Sequence, residues 1–368
     1  MLWVWVGFIL FVLLMLALDL GVFHRHAHVV SIREALIWSA VWISLGLAFS
    51  LFVYFGYEYR WMGLGSAVDP VDGLINDGSS ATVKYLTGYV IEKSLSVDNI
   101  FVIAVIFSFM AVPRVYQHRV LFWGILGALL MRGIMIAVGA QLIAQYHWIL
   151  YVFGVFLIVT AVKMLTIRPH HDPARNIIVR WTKRLLPVTD RFHGAHFLVR
   201  AGSPQSREAV EAGQPMLPDA AVARAVPGTL MVTPLALALN VVETTDLVFA
   251  VDSIPAIFAV TADPFLVFTC NVFAILGLRS LYFALADIID KFRFLKVSLA
   301  IVLAIVGLKM LFADTLKTAL GPAFNWYLLL VILIVIVGGM FASMWKAPAT
   351  THDETGQQRD RERDRRSA

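Results

Sequence analysis

The chain has 368 residues, 59% of them hydrophobic and only 15% charged, with a mean hydropathy of +0.77. This excludes an ordinary water-soluble globule and fits a protein that crosses a membrane several times. The formal net charge of +5 is spread over connections and the C-terminal tail, so it reads as topology and excludes a nucleic-acid surface. One cysteine, Cys270, excludes an internal disulfide and any CxxC-type metal or redox motif.

The opening run, MLWVWVGFILFVLLMLALDLG, has no basic start and no small-x-small cleavage pattern, and is predicted to be a first span rather than a cleaved signal peptide. Asp19 near its end is either a supporting site residue or a helix-end carboxylate at the interface. The histidines of HRHAHVVSIRE (His24, His26 and His28) read as a solvated loop, because no second ligand set accompanies them. The first two spans fall within residues 1–55. Residues 56–84 form a net acidic loop, with Glu58, Asp69, Asp72 and Asp77 against Arg60 and Lys84.

Spans three to five occupy residues 82–166. The third holds Glu92, Lys93, Asp98 and Asn99 in GYVIEKSLSVDNIFVIAVIF, the fourth has Arg132 at its middle, and the fifth ends near Lys163. Residues 167–227 carry nine Lys or Arg against five Asp or Glu, followed within the same stretch by a Gly-, Pro- and Ala-rich segment. Spans six to eight occupy 228–313, with Arg279 in the seventh and Lys309 in the eighth. A ninth lies at 325–345, and residues 346–368 form an Arg-rich, disordered tail. Basic connections mark the cytoplasmic side, which places 167–227 and the tail inside, 56–84 outside, and the N-terminus outside.

The sixth span, VETTDLVFAVDSIPAIF, sets Glu243, Asp246 and Asp252 inside an apolar run. Each charge at the centre of a spanning helix costs roughly 2.5–3.5 kcal/mol, so these carboxylates must face protein, water or a cation. VDNI at 97–100 matches VDSI at 251–254, which aligns Glu92 with Asp246 and Asp98 with Asp252. Arg132 then aligns with Arg279 and Lys163 with Lys309, so spans three to five repeat as spans six to eight. Three spans per repeat impose opposite orientations in the membrane. This gives an all-α polytopic protein of about nine transmembrane helices with an inverted repeat, N-terminus out and C-terminus in, and a site at the midplane.

Asp246 and Asp252 are six residues apart, as are Glu92 and Asp98, and so point about 120° apart on a regular helix. One ion could meet Glu92, Asp98, Glu243, Asp246 and Asp252 together only if both spans unwind or kink, and Pro255 supports a break in the sixth. Freed carbonyls, the Thr244, Thr245 and Ser253 hydroxyls and the Asn99 and Asn240 amides would complete an all-oxygen shell, suited to Mg, Ca or Mn rather than Cu or Zn. Arg132 and Arg279 are expected to hold the carboxylates while no cation is bound.

At LDLGVFHRHAHVVSIREAL, EKSLSVDNIFV and TPLALALNVVETTDLVFAVDSIPAIFAVTADPFLVFTCNVFAILGLRSLYF, the chain closely resembles the TerC family of integral membrane proteins, over about residues 10–345. The resemblance implies a bacterial inner-membrane protein, manganese efflux as in members of the pH-responsive Alx type, and a historical link to tellurium resistance. Asp98, Glu243, Asp246 and Asp252 match the family's acidic positions. Asn240 stands where family members mostly carry an apolar residue, and the 201–227 insertion is longer than usual.

Three classes of function fit to different degrees. A divalent-cation exporter accounts for the carboxylates, the repeat and the oxygen ligands, with protons as the coupling ion and no resident cofactor. A non-transporting assembly or stress-response protein would not need matched midplane carboxylates. An intramembrane aspartyl protease using Asp98 and Asp252 would need a shared-proton dyad, which the companion acids and the lack of a GxGD motif disfavour. No GxxxxGK[ST] sequence occurs, which excludes ATP-driven transport by this chain alone.

Overall fold

The computed structural model describes residues 2–18, 31–166, 187–203, 219–285, 295–313, 315–316 and 324–345. Asp19, the His24, His26 and His28 cluster, residues 167–186 and 204–218 of the long connection, and the tail from 346 lie outside them.

A backbone in hydrocarbon must satisfy its own amides, and the apolar runs accordingly form helices. The first five are α1 (Leu2–Leu18), α2 (Ile32–Glu58), α3 (Gly78–Phe109), α4 (Arg114–Gln145) and α5 (Ile149–Thr166). A small antiparallel pair, β1 (Leu198–Arg200) and β2 (Leu230–Val232), flanks the short α6 (Ala220–Arg224). Then follow α7 (Pro234–Phe258), α8 (Pro264–Leu276), α9 (Leu278–Leu285), α10 (Leu295–Leu311) and α11 (Phe324–Trp345). Among the described residues, six segments are long and apolar enough to cross a membrane: α2, α4, α5, α7, the α8–α9 stretch and α11. The helices α1 and α10 are apolar at 17 residues each, and the 32-residue α3 carries Lys84, Glu92, Lys93 and Asp98.

Local chemistry sets the helix starts. Thr233 caps α7 and Asp263 caps α8, each followed by a proline at the first helical position, where the missing amide costs nothing. Asp77 caps α3 by accepting the Ser80 amide at 2.7 Å.

The α8–α9 stretch is the enclosed centre, with α8 against α2, α3 and α4, while α7 lies against α3, α4 and α5. Phe8, Phe49, Phe265, Phe268 and Phe273 interlock around α8, the Phe49 and Phe273 rings 4.7 Å apart. Helices α5 and α10 pack glycine on glycine: a Cβ at Gly307 would stand 2.8 Å from the Gly154 carbonyl oxygen. Small residues admit such close backbone approach between helices in lipid.

The expected unwinding of the third and sixth spans is not present. Both α3 and α7 run unbroken, and Pro255 sits in the last turn of α7, where it withholds a single amide and the helix still closes through Ala259 N–H to the Pro255 carbonyl at 3.0 Å. The break falls instead in the seventh hydrophobic segment, at Gly277 between α8 and α9. There Lys93 Nζ donates to the Ala274 carbonyl at 3.2 Å, and a Cβ on Gly277 would lie 2.9 Å from that ammonium and 3.0 Å from Trp42 Cβ.

The acidic 56–84 loop is tied down. The Asp69 side chain is fully enclosed, meets Lys84 Nζ at 2.8 Å, and accepts the Thr261 hydroxyl at 2.5 Å and the Ala262 amide at 3.0 Å. Asp72 completes the Lys84 pairing at 2.6 Å, and Tyr57 donates to Asp263 at 2.8 Å. Burial pushes Asp69 up, but the Lys84 charge and hydrogen bond, with the Thr261 hydroxyl and the Ala262 amide, outweigh it and hold the carboxyl below the usual range. Burial, reinforced by the nearby Asp69 charge, pushes Asp263 up, and the Tyr57 hydroxyl and backbone amides only partly oppose it.

Candidate functional site

Two unbroken helices, α3 and α7, carry the acidic residues, so the 120° offset between positions six apart acts in full. It sends the carboxylates to two places, and the members aligned by the sequence repeat travel together.

Glu92 and Asp246 go to Arg132 of α4, which is 1% exposed. Arg132 Nε and Nη2 donate to the two oxygens of Asp246 at 3.4 and 3.2 Å, a bidentate grip. Its Nη1 donates to Glu92 Oε1, to Ser253 Oγ at 3.2 Å and to Asn271 Oδ1 at 3.0 Å. Glu92 is 0% exposed, and its second oxygen, Oε2, is buried without a hydrogen-bond partner among the described residues. Glu243, one turn before Asp246, lies directly over Gly127 of α4, where any side chain would collide with its carboxylate.

Asp98 and Asp252 go to a cavity of about 630 Å³ bounded by α3, α5, α7 and α10. Asn99, Ser253, Thr160, Lys163 and Lys296 also line it, between apolar walls that include Leu95, Phe156 and Leu303. The Thr160 hydroxyl donates to Asp252 at 3.2 Å. Ser253 faces both places: it lines the cavity beside Asp252 and accepts from Arg132.

Other expected site residues are placed elsewhere. The Thr244 and Thr245 hydroxyls donate to the Asn240 and Val241 carbonyls one turn back, at 2.8 and 2.7 Å, and are spent within α7. Asn240 is exposed. Arg279 stands on α9 with Nη1 donating to His118 Nε2 at 3.0 Å, and among the described residues it is Arg132 that holds the Glu92 and Asp246 pair. Among the described residues no three His, Cys, Asp or Glu side chains are grouped to hold one metal ion. The single five-carboxylate shell anticipated from the sequence is therefore not assembled, because neither helix bends to bring its two acidic positions onto one face.

Sequence reasoning missed Thr160, Lys163, Lys296 and Asn271 as members of these clusters. Asn271 had a readable signal, an amide inside an otherwise apolar run. Lys163 and Lys296 sit near span ends, where a lysine is ordinarily read as an interface anchor.

The family model described as "Integral membrane protein TerC family" matches residues 77–351. An uncharacterized membrane protein, STKORF319, of Myxococcus xanthus is 49% identical over 314 residues, covering 85% of this chain and 84% of the relative. A protein of Escherichia coli strain K12 named "Putative membrane-bound redox modulator Alx" is 42% identical over 329 residues, covering 87% and 90% respectively. An uncharacterized membrane protein of Rickettsia bellii is 35% identical over 341 residues, covering 92% and 96%. No solved structure matches the chain.

Proposed function

The chain belongs to the TerC family of integral membrane proteins, and from that premise we propose that it exports divalent metal cations, manganese first, across the bacterial inner membrane. The observation that carries the reading is the convergence of Asp98 and Asp252, from two different helices, on one largely apolar cavity that also holds Asn99, Thr160 and Ser253. Carboxylate, amide and hydroxyl oxygens are the donors there. Such a set suits hard cations, and manganese sheds its water more readily than magnesium, which keeps several waters and near-ideal octahedral geometry. A cavity of this volume admits a partly hydrated ion. Lys163 and Lys296 on its wall offer positive charge that compensates the acids when the cation has left.

The wider architecture in this reading is nine spans, with the N-terminus out, the C-terminus in, and spans three to five inverted as spans six to eight. Its support is the pattern of packing. With α3 equivalent to α7, α4 to the α8–α9 stretch and α5 to α10, the α3–α8 contact is the counterpart of the α7–α4 contact, and α5–α10 is its own counterpart. Proton antiport supplies the driving force, the carboxylates taking up protons as metal departs.

The name of the Escherichia coli relative raises a redox role as the second reading. A dithiol mechanism has little to work with here, since the one cysteine, Cys270, is buried and its thiol donates to the Val267 carbonyl at 3.3 Å. Cellular metal content decides between them: expression of the wild type lowers manganese and Asp252→Asn does not. Unchanged manganese with the wild type, at normal membrane expression, would overturn export.

A further inference from the structure

A guanidinium stays charged at every accessible pH, so Arg132 cannot release its partners by losing a proton. It blocks Glu92 and Asp246 from any other cation for as long as it stays in place, with Nε and Nη2 on Asp246 and Nη1 on Glu92. The match is incomplete. Two carboxylates meet one guanidinium, and Glu92 Oε2 is left buried with no hydrogen-bond partner among the described residues, although the Arg132 charge pairs with its carboxylate through Oε1. Ser253 provides a physical connection to the cavity, since it accepts from Arg132 at 3.2 Å and adjoins Asp252 on the cavity wall.

Building on the export reading, we propose that Arg132 is a tethered counter-ion. It is a positioning residue that holds Glu92 and Asp246 while the Asp98 and Asp252 cavity contains no metal, yields them when a divalent cation enters, and reclaims them as the cation departs. The two places meet at Ser253, whose Oγ accepts from Arg132 and lines the cavity, so arginine and an entering cation compete at that oxygen and for the field of the neighbouring carboxylates. Removing Arg132 frees the carboxylates, so the cation binds more tightly and leaves more slowly. A purely structural ion pair makes the opposite prediction, because its loss disorders the acids and weakens binding.

The test uses the full chain in lipid nanodiscs for manganese-binding isotherms and in proteoliposomes for transport rates. Arg132→Gln is expected to bind manganese about tenfold more tightly and to transport at a maximal rate at least about tenfold lower, a split between affinity and turnover that simple destabilisation does not produce. Arg132→Lys keeps the charge but loses the bidentate grip, and is expected to fall between the two in both measurements. Should Arg132→Gln fail to fold, the Arg132→Lys isotherm decides. Wild-type or weaker manganese affinity in the folded variant overturns the counter-ion role. Absence of manganese, magnesium and calcium binding in the wild type instead overturns the export reading on which it rests.

Discussion

At the scale of single residues, a consequential contact joins Asp69, in the loop between α2 and α3, to Lys84 in the second turn of α3. Removing one partner from a buried pair leaves an uncompensated charge, at about 3–5 kcal/mol. Lys84→Met is therefore expected to lower the thermal midpoint of the detergent-solubilised protein sharply, and Asp69→Asn less so, because an amide keeps part of the hydrogen bonding to Thr261 and Ala262. The pH dependence has a definite sign. The folded-state pKa of Asp69 lies below the unfolded value of about 3.9, so its stabilisation is fully present above about pH 4 and is lost as pH falls through the folded value. Asp263 is shifted upward and acts oppositely: its charge is held at a cost at neutral pH, and acid relieves that cost. Melting curves from pH 7 down to about pH 3 should show a shallower acid limb in Asp69→Asn than in the wild type, and identical limbs would remove Asp69 as the acid-sensitive group. On α4, Gly127→Ala places a methyl in the position of the Glu243 carboxylate. It should impair manganese export while membrane insertion stays normal, as read by cellular manganese and by immunoblot of the membrane fraction.

At the scale of elements, α5 carries Thr160 and Lys163 on the cavity wall and is set by its glycine contact with α10. Gly307→Ala forces the two backbones apart at that crossing, an overpacking change that typically costs about 1–3 kcal/mol. It should lower the melting temperature and reduce export together, whereas Gly338→Ala, which has open space around its Cβ position, should do neither. The helical, membrane-crossing character of the chain was legible in the sequence because hydrophobic runs are local signals, whereas the caps Asp77, Thr233 and Asp263 were not read as helix starts. VDNI and VDSI aligned Asp98 with Asp252, but the sequence put both in one shell with Glu92, Glu243 and Asp246, none of which lines the cavity they share. The break at Gly277 was not legible, because a glycine in an apolar run says nothing of the Lys93 ammonium that fills the space beside it. Nor was the anchorage of Asp69, whose partner Thr261 is 192 residues away. The kink expected at Pro255 shows the limit of a local rule, since a proline in a final turn withholds one hydrogen bond and the helix still closes beyond it.

At the scale of the whole molecule, the donor chemistry of the cavity bears on selectivity. Cys270 is buried away from that cavity, whose lining includes no sulfur ligand other than the thioether of Met164. Expression should relieve manganese toxicity and leave copper and cadmium toxicity unchanged, and Cys270→Ser should behave as the wild type in growth and metal-content assays. Lowered copper or cadmium with unchanged manganese would contradict the oxygen-donor site. The Asp69 and Lys84 anchor also constrains how the bundle can move. It fastens the start of α3 to the turn between α7 and α8 with a buried ion pair and two hydrogen bonds, so these three helices form a frame that is expensive to pull apart at that end. The α5–α10 wall meets on smooth backbone surfaces at its glycine crossing, and just beyond it Lys309 Nζ of α10 donates to the Ala259 carbonyl, which ties that end of the wall to the same turn. If the cavity is to face first one side of the membrane and then the other, the wall is pinned at Lys309 and free toward its cavity end at Lys296, so the low-energy motion is a swing about that pin, a hinged door rather than a pair of jaws.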